Sequence, residues 1–139
     1  MRNRGQAYGE AVLDVVRLVP PGKVLTYGDI AEILEVGGPR QVGSVLSRSG
    51  ADVPWWRVLR ADGRPPTGLE ADAVEHYLAE DTALRASEEQ KVDLVRARWL
   101  PRLPEQEELQ RIRQRLARAL AGGAPEMSEM SEVDDGVGS

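Results

Sequence analysis

Two short segments of helical apolar spacing, separated by Gly37-Gly38-Pro39, constrain this chain more than any other feature of its sequence. In the first, Ile30, Ala31, Ile33 and Leu34 recur at the period of one helix face, and Thr26 precedes Asp29 by three residues, a variant of the capping box. The two glycines end that helix. Pro39, which has no amide hydrogen to donate, suits the first turn of the next one. There Val42, Val45 and Leu46 share one face, while Arg40, Gln41, Ser44, Ser47 and Arg48 lie outside. Two short helices joined by a glycine turn make a helix-turn-helix pattern.

Around this pair the chain reads as mainly helical. From Gln6 to Val19 the residues Ala7, Ala11, Val15 and Leu18 fall on one line, with Val12, Val16 and Val19 beside it, until Pro20-Pro21-Gly22 stops the helix. After Gly50 the run Val53 to Leu59 reads as extended or looped, and Asp62-Gly63 signals a tight turn at which a small β-wing is expected. Glu70 to Glu80 predicts a helix with Ala73, Val74, Tyr77 and Leu78 inward, followed by a stretch to Trp99 with no clear period. Pro104 to Ala121 predicts an amphipathic helix burying Leu109, Ile112, Leu116, Ala119 and Leu120, with acidic residues in its first turn. The organisation expected is a domain over 1–103, this helix over 104–121, and a disordered acidic tail over 122–139.

With 139 residues the chain has room for one core. It contains no cysteine, which removes disulfides, thiolate nucleophiles and cysteine-ligated metals together, and a single histidine, His76, which removes the usual multi-histidine metal sites. No run approaches the roughly 20 apolar residues of a membrane span and no secretion signal is legible, so a cytoplasmic protein is expected. The net charge of −5 is unevenly placed: residues 122–139 hold five Asp/Glu and no Lys/Arg, whereas residues 1–69 hold nine Lys/Arg against seven Asp/Glu. The half containing the helix pair is therefore mildly basic.

Among residues able to carry chemistry, Arg111, Arg113, Arg115 and Arg118 alternate with Glu and Gln and read as a solvated face. His76 has no nucleophile or carboxylate at useful spacing, and no catalytic role is assigned to it. Tyr27, at the start of a helix-turn-helix, is placed to meet a DNA phosphate beside the amides of the helix start, or else to pack on the core. Trp55-Trp56 is the other outlier: on an extended chain, neighbours point to opposite sides, so one indole is expected to wall a pocket.

Pro21-Gly22-Lys23-Val24, Thr26 to Ala31, Pro39-Arg40-Gln41-Val42-Gly43, Val53 to Val58 and Asp62-Gly63 together resemble, in order and spacing from Val12 to Arg64, the DNA-binding domain of the O6-methylguanine-DNA methyltransferases. In that family the block after Val53 reads Pro-Cys-His-Arg, and the cysteine accepts the alkyl group. Trp55 stands at the cysteine position, which resembles the alkyltransferase-like proteins with their Pro-Trp-His-Arg, and Trp56 further replaces the histidine. The run Val92-Asp93-Leu94 through Arg96, Arg98 and Trp99 is similar to a C-terminal signature of the bacterial branch, while nothing is matched from Leu103 onward.

The resemblance implies a winged helix-turn-helix fold that binds duplex DNA containing O6-alkylguanine, flips the alkylated base, transfers nothing, and flags the lesion to nucleotide excision repair proteins. It implies that Arg40 is the finger that fills the space of the extruded nucleotide, that Tyr27 meets its 3′ phosphate, and that Gly43 and Ser44 let the helix approach the minor groove. Gln41 and Arg48 complete the expected DNA surface. Trp55 is expected to wall the base pocket, with Val53 and Pro54 lining it, Trp56 beside it, Arg57 fixing the loop, and Arg60 and Arg64 reaching phosphate or base. No cofactor or metal is expected, and the protein is expected to be monomeric. The alternative is a winged-helix transcription regulator reading sequence through Gln41 and Arg48.

Overall fold

A computed structural model of the protein describes residues 3–122. The first helix, α1 (Arg4–Leu18), starts with a capping box in which Asn3 and Gln6 exchange side-chain to backbone hydrogen bonds, and it buries Ala7, Ala11, Val12, Val15 and Val16. After the Pro20-Pro21-Gly22 turn, the two-residue β1 (Leu25–Thr26) runs straight into α2 (Tyr27–Leu34). The expected cap is present: Thr26 Oγ1 accepts from the Asp29 amide and the Asp29 carboxylate accepts from the Thr26 amide. Helix α3 (Pro39–Ser49) buries Val42, Val45 and Leu46. In the turn between α2 and α3, Gly37 has φ +77°, and a Cβ there would run into the Tyr8 hydroxyl, which donates to the Val36 carbonyl at 3.1 Å.

Two 3-10 turns follow, Gly50–Asp52 and Trp55–Arg57, and then β2 (Val58–Leu59) pairs in parallel with β1, Leu25 opposite Val58. Of the run expected as extended or looped from Val53 to Leu59, Val58–Leu59 is strand, while Trp55–Arg57 is a 3-10 turn. In a 3-10 turn successive side chains diverge by about a third of a rotation rather than half, so both indoles are half-buried, each in its own surroundings.

Helix α4 (Glu70–Glu80) has the expected bounds, but Leu78 is 65% exposed while Ala73 and Tyr77 are fully buried. Its inward face is narrower than the apolar spacing predicts. The antiparallel wing is β3 (Leu84–Arg85) with β4 (Glu88–Val92), in the stretch where the sequence showed no period. The Asp62-Gly63 turn does form, with Gly63 at φ +89°. It docks against β4, the Val92 amide donating to the Gly63 carbonyl, and is not the tip of a hairpin.

A one-turn α5 (Leu94–Ala97) and the long α6 (Leu103–Gly122) complete the described chain. Leu109, Ile112 and Leu116 join the same core as α1, α2 and α3, so the segment expected as an addition to the domain closes its main core. Arg111, Arg113 and Arg115 are held by Glu108, by Glu35 and the Ile33 carbonyl, and by Asp14, in agreement with a solvated, ion-paired face. A smaller cluster of Val24, Leu59, Ala73, Tyr77, Val92 and Ala97 lies under α4 and the wing. Apart from Gly122, the last residue of α6, the expected acidic tail lies outside the described residues.

The Gly37 turn sets the angle between α2 and α3. Gly37→Ala is expected to cost at least about 1–2 kcal/mol, from the left-handed backbone alone, in urea unfolding monitored by circular dichroism. A cost below a few tenths would show that the turn relaxes freely.

Candidate nucleic-acid interface and base pocket

The cap on Thr26 fixes the first turn of α2 and with it Tyr27, whose ring lies against Gly43 of α3, 3.6–3.9 Å from where a Cβ would stand. Gly43 therefore already serves packing between the two helices, whatever else approaches it. Burial raises the Tyr27 hydroxyl above its ordinary pKa, and the charge of Arg60 pulls it the other way. A cavity of about 570 Å³ opens beside this ring, bounded by Tyr27, by Gly43, Leu46 and Ser47 of α3, by Gly50 and Ala51 of the turn after it, by Trp55 and Arg60, and by Pro66, Thr67, Leu69 and Asp72. Its size falls within the roughly 300–1,000 Å³ of small-ligand sites.

Trp55 thus lies where a pocket wall was expected, and Arg60 joins it. Arg60 is aimed by its own Nε, which donates to the Pro65 carbonyl at 3.2 Å. Val53 is buried in the main core, and Pro54, Trp56, Arg57 and Arg64 are not among the cavity-lining residues. Arg64 pairs instead with Asp62 on the turn. The Pro65-Pro66-Thr67-Gly68-Leu69 loop went unassigned in the sequence, although rigid prolines directly before a helix start were the signal that could have marked it.

Trp56 and Arg57 are held behind the pocket by one carboxylate, Glu80 at the end of α4. Trp56 Nε1 donates to Glu80 Oε2 at 3.0 Å, Arg57 donates through Nε at 3.1 Å and Nη2 at 2.6 Å, and the Gly22 amide donates at 3.2 Å. Arg57 Nη1 reaches on to the Val19 carbonyl at 2.9 Å. Burial alone would raise the Glu80 carboxyl, yet the bonds from Arg57, Gly22 and Trp56 and the Arg57 charge leave it below its ordinary pKa. The imidazole of His76 stacks on Trp56 with ring centres 3.5 Å apart and planes 5° from parallel. Both rings meet Trp55 edge to face, at 5.6 Å from Trp56 and 5.9 Å from His76. His76, given no role from sequence, is part of the backing of the pocket wall.

On the outer face of α3, Arg40, Gln41, Ser44 and Arg48 are exposed. Arg40 and Arg48 have no ion-pair partner among the described residues, while Gln41 accepts from the Gly38 amide and so caps its own helix. Arg48 also borders a separate groove between α1 and α3. The fold brings Tyr27, Gly43, Trp55 and Arg60 together at the cavity and leaves the α3 cations on the adjoining surface.

Residues 7–89 match the 6-O-methylguanine DNA methyltransferase DNA-binding domain. The chain belongs to this family, and within it to the alkyltransferase-like proteins. It is 34% identical over 99 residues to the DNA base-flipping protein of Escherichia coli (strain K12), covering 67% of this chain and 74% of that one. It is 36% identical to Alkyltransferase-like protein 1 of Schizosaccharomyces pombe, covering 65% of this chain and 92% of that one. The crystal structure of the S. pombe protein in complex with damaged DNA containing O6-carboxymethylguanine superposes with a TM-score of 0.58 at 29% identity, over 73% of this chain and all of the other. In this alkyltransferase-like chain it is the imidazole of His76, supplied by α4, that stacks on Trp56.

Because the Glu80 pKa is lowered in the fold, its stabilisation is fully present above the ordinary carboxylate range and is lost as pH falls through the depressed value. Glu80→Gln is expected to cost about 1.5–3 kcal/mol near pH 7 and to flatten the loss of stability in acid. Urea midpoints from about pH 7 to about pH 3 test this; parallel curves for parent and variant would exclude Glu80 as the source.

Proposed function

We propose that this protein is a non-enzymatic sensor of O6-alkylguanine in duplex DNA. Helix α3 lies along the groove, Arg40 enters the stack where the base has left, and Tyr27 meets the phosphate beside it. The flipped base enters the cavity against Trp55. Extrusion costs a few kcal/mol, which stacking of the Arg40 guanidinium on neighbouring bases partly offsets. Arg40 sits at the N-terminal end of α3, where the helix dipole disfavours a cation, and a role outside the fold accounts for its presence there.

The observation that carries the reading is Trp55. It stands where the methyltransferases hold their acceptor cysteine, and here it walls a cavity large enough for a base. Alkyl transfer to sulfur needs a thiolate, the chain has no cysteine, and an indole nitrogen is too weak a nucleophile to replace it. What remains is binding. A relative named for base flipping and a structural neighbour bound to DNA carrying O6-carboxymethylguanine support the same reading. The flat indole face offers dispersion contact to alkyl groups of several sizes, and Arg60 offers donors to the acceptor edge of a purine. In this reading the protein acts as a cytoplasmic monomer and hands the held lesion to nucleotide excision repair proteins.

Matched duplexes bearing guanine or O6-methylguanine, titrated at one stated salt concentration and followed by tryptophan fluorescence, test the proposal once the recovered DNA is assayed for its methyl group. Tighter binding to the lesion with the methyl retained is the expected result. Tyr27→Phe and Arg40→Ala are each expected to lower the preference roughly tenfold, about 1.4 kcal/mol. Equal affinity for both duplexes would overturn the sensor and favour a regulator that reads sequence through Gln41 and Arg48.

A further inference from the structure

Among the described residues, the most exposed apolar side chains lie away from the base pocket, where α5 passes into α6. Val95 is 95% exposed, Leu100 80% and Leu103 67%, all within nine residues of one another. Val95 and Leu100 border a groove of about 510 Å³ floored by Trp99, Leu18 and Pro20. Its rim is basic. Arg98 is neutralised by Asp29 at 3.0 Å, but Lys23, Arg96 and Arg102 have no ion-pair partner among the described residues. Glu105, the acid on this rim, is committed to the Arg102 amide at 2.7 Å. Bare cations around bare aliphatic side chains suit an anionic segment that also carries aliphatic groups. Polyphosphate would satisfy the cations and leave Val95 and Leu100 in water.

The chain itself contains such a segment. Residues 123–139 hold five carboxylates and no cation, with Met127, Met130, Val133 and Val137 interspersed. They follow Gly122 at the far end of α6, whose 20 residues span about 30 Å at 1.5 Å each. The 17 residues beyond it reach at most about 56–60 Å when extended. About nine of them suffice to return along α6 past Arg118, which has no ion-pair partner among the described residues, and this brings Glu132 to Val137 within reach of the groove. We propose that this acidic segment docks there. Glu132, Asp134 and Asp135 then face Lys23, Arg96 and Arg102, and Val133 and Val137 cover Val95 and Leu100. Docking would shield the apolar patch and withdraw three cations from non-specific DNA contact, leaving the α3 face to bind.

Because the chain has no cysteine, Ser139→Cys gives a single attachment point for a nitroxide in the full-length protein. Paramagnetic broadening of amides in the ¹⁵N-labelled chain reads where that end resides. The expected result is strong broadening over Val95 to Leu103 that fades with salt, vanishes in Arg96→Glu/Arg102→Glu, and returns when Glu132, Asp134 and Asp135 are changed to Lys in that background. Broadening confined to the start of α1 or to α3, or absent throughout, would overturn the proposal. So would broadening that persists when spin-labelled ¹⁴N protein is mixed with unlabelled ¹⁵N protein, since the contact would then join two copies. In DNA binding, neutralising the three carboxylates is expected to tighten undamaged duplex and to steepen its salt dependence by up to about three phosphate contacts. That readout stands whether or not the lesion is preferred.

Discussion

The Glu80 carboxylate is the interaction on which the working end of this molecule depends. The parallel pair β1-β2 is only two residues long on each side, too short to position a loop by its own ladder, and the Trp55–Arg57 segment is a single 3-10 turn. One carboxylate, 13% exposed, takes hydrogen bonds from the turn after α1 and from two successive residues of the pocket loop, while its own backbone ends α4. Three segments that are distant in sequence are thereby fixed to one another by charge-assisted bonds. Such a pair is costly to break because the surviving charge is left half-buried, so its worth is positional more than energetic.

The aromatic group behind the pocket follows from that anchor. With its Nε1 tied to Glu80, Trp56 can rotate little, and its face is taken by His76 stacked on one side and by the Arg57 guanidinium 5.4 Å from the ring centre. Trp55 abuts the edges of both rings. In the methyltransferase motif that this segment resembles, a histidine follows the acceptor cysteine. Here that residue is Trp56, and its stack with His76 backs Trp55 as a rigid flat wall of the cavity. The buried Tyr77 hydroxyl, with no hydrogen-bond partner among the described residues, lies under the same stack. Burial, with Tyr27 and Glu80 nearby, holds it protonated well above the ordinary tyrosine range.

What was legible in the sequence was whatever local chemistry decides. The caps at Thr26 and Pro39, the glycine break between them and the apolar faces of α1, α3 and α6 all follow from residues within one or two turns of each other. The wing was misplaced because Leu84 to Val92 lacks alternation: it pairs with a register shift at its turn and rests on Gly63 from a distant turn. Leu78 follows the helical spacing yet faces solvent, since nothing packs over that side of α4. Trp55 was readable from its position in the motif. The roles of Glu80 and His76 were not, because each acts across more than 19 positions of sequence on a partner that only the fold supplies.

The cations divide in the same way between those the fold consumes and those it leaves. Arg57, Arg98, Arg111, Arg113 and Arg115 are each tied to a carboxylate. Arg40 and Arg48 are tied to none among the described residues, and both project from α3, which carries no acidic residue. A net negative protein can therefore present a locally positive strip, because screening over about 10 Å makes a phosphate respond to the nearest charges and not to the total. Beside that strip lies the cavity, where Trp55 presents an apolar face and Arg60, the one cation among its lining residues, is held by a proline carbonyl.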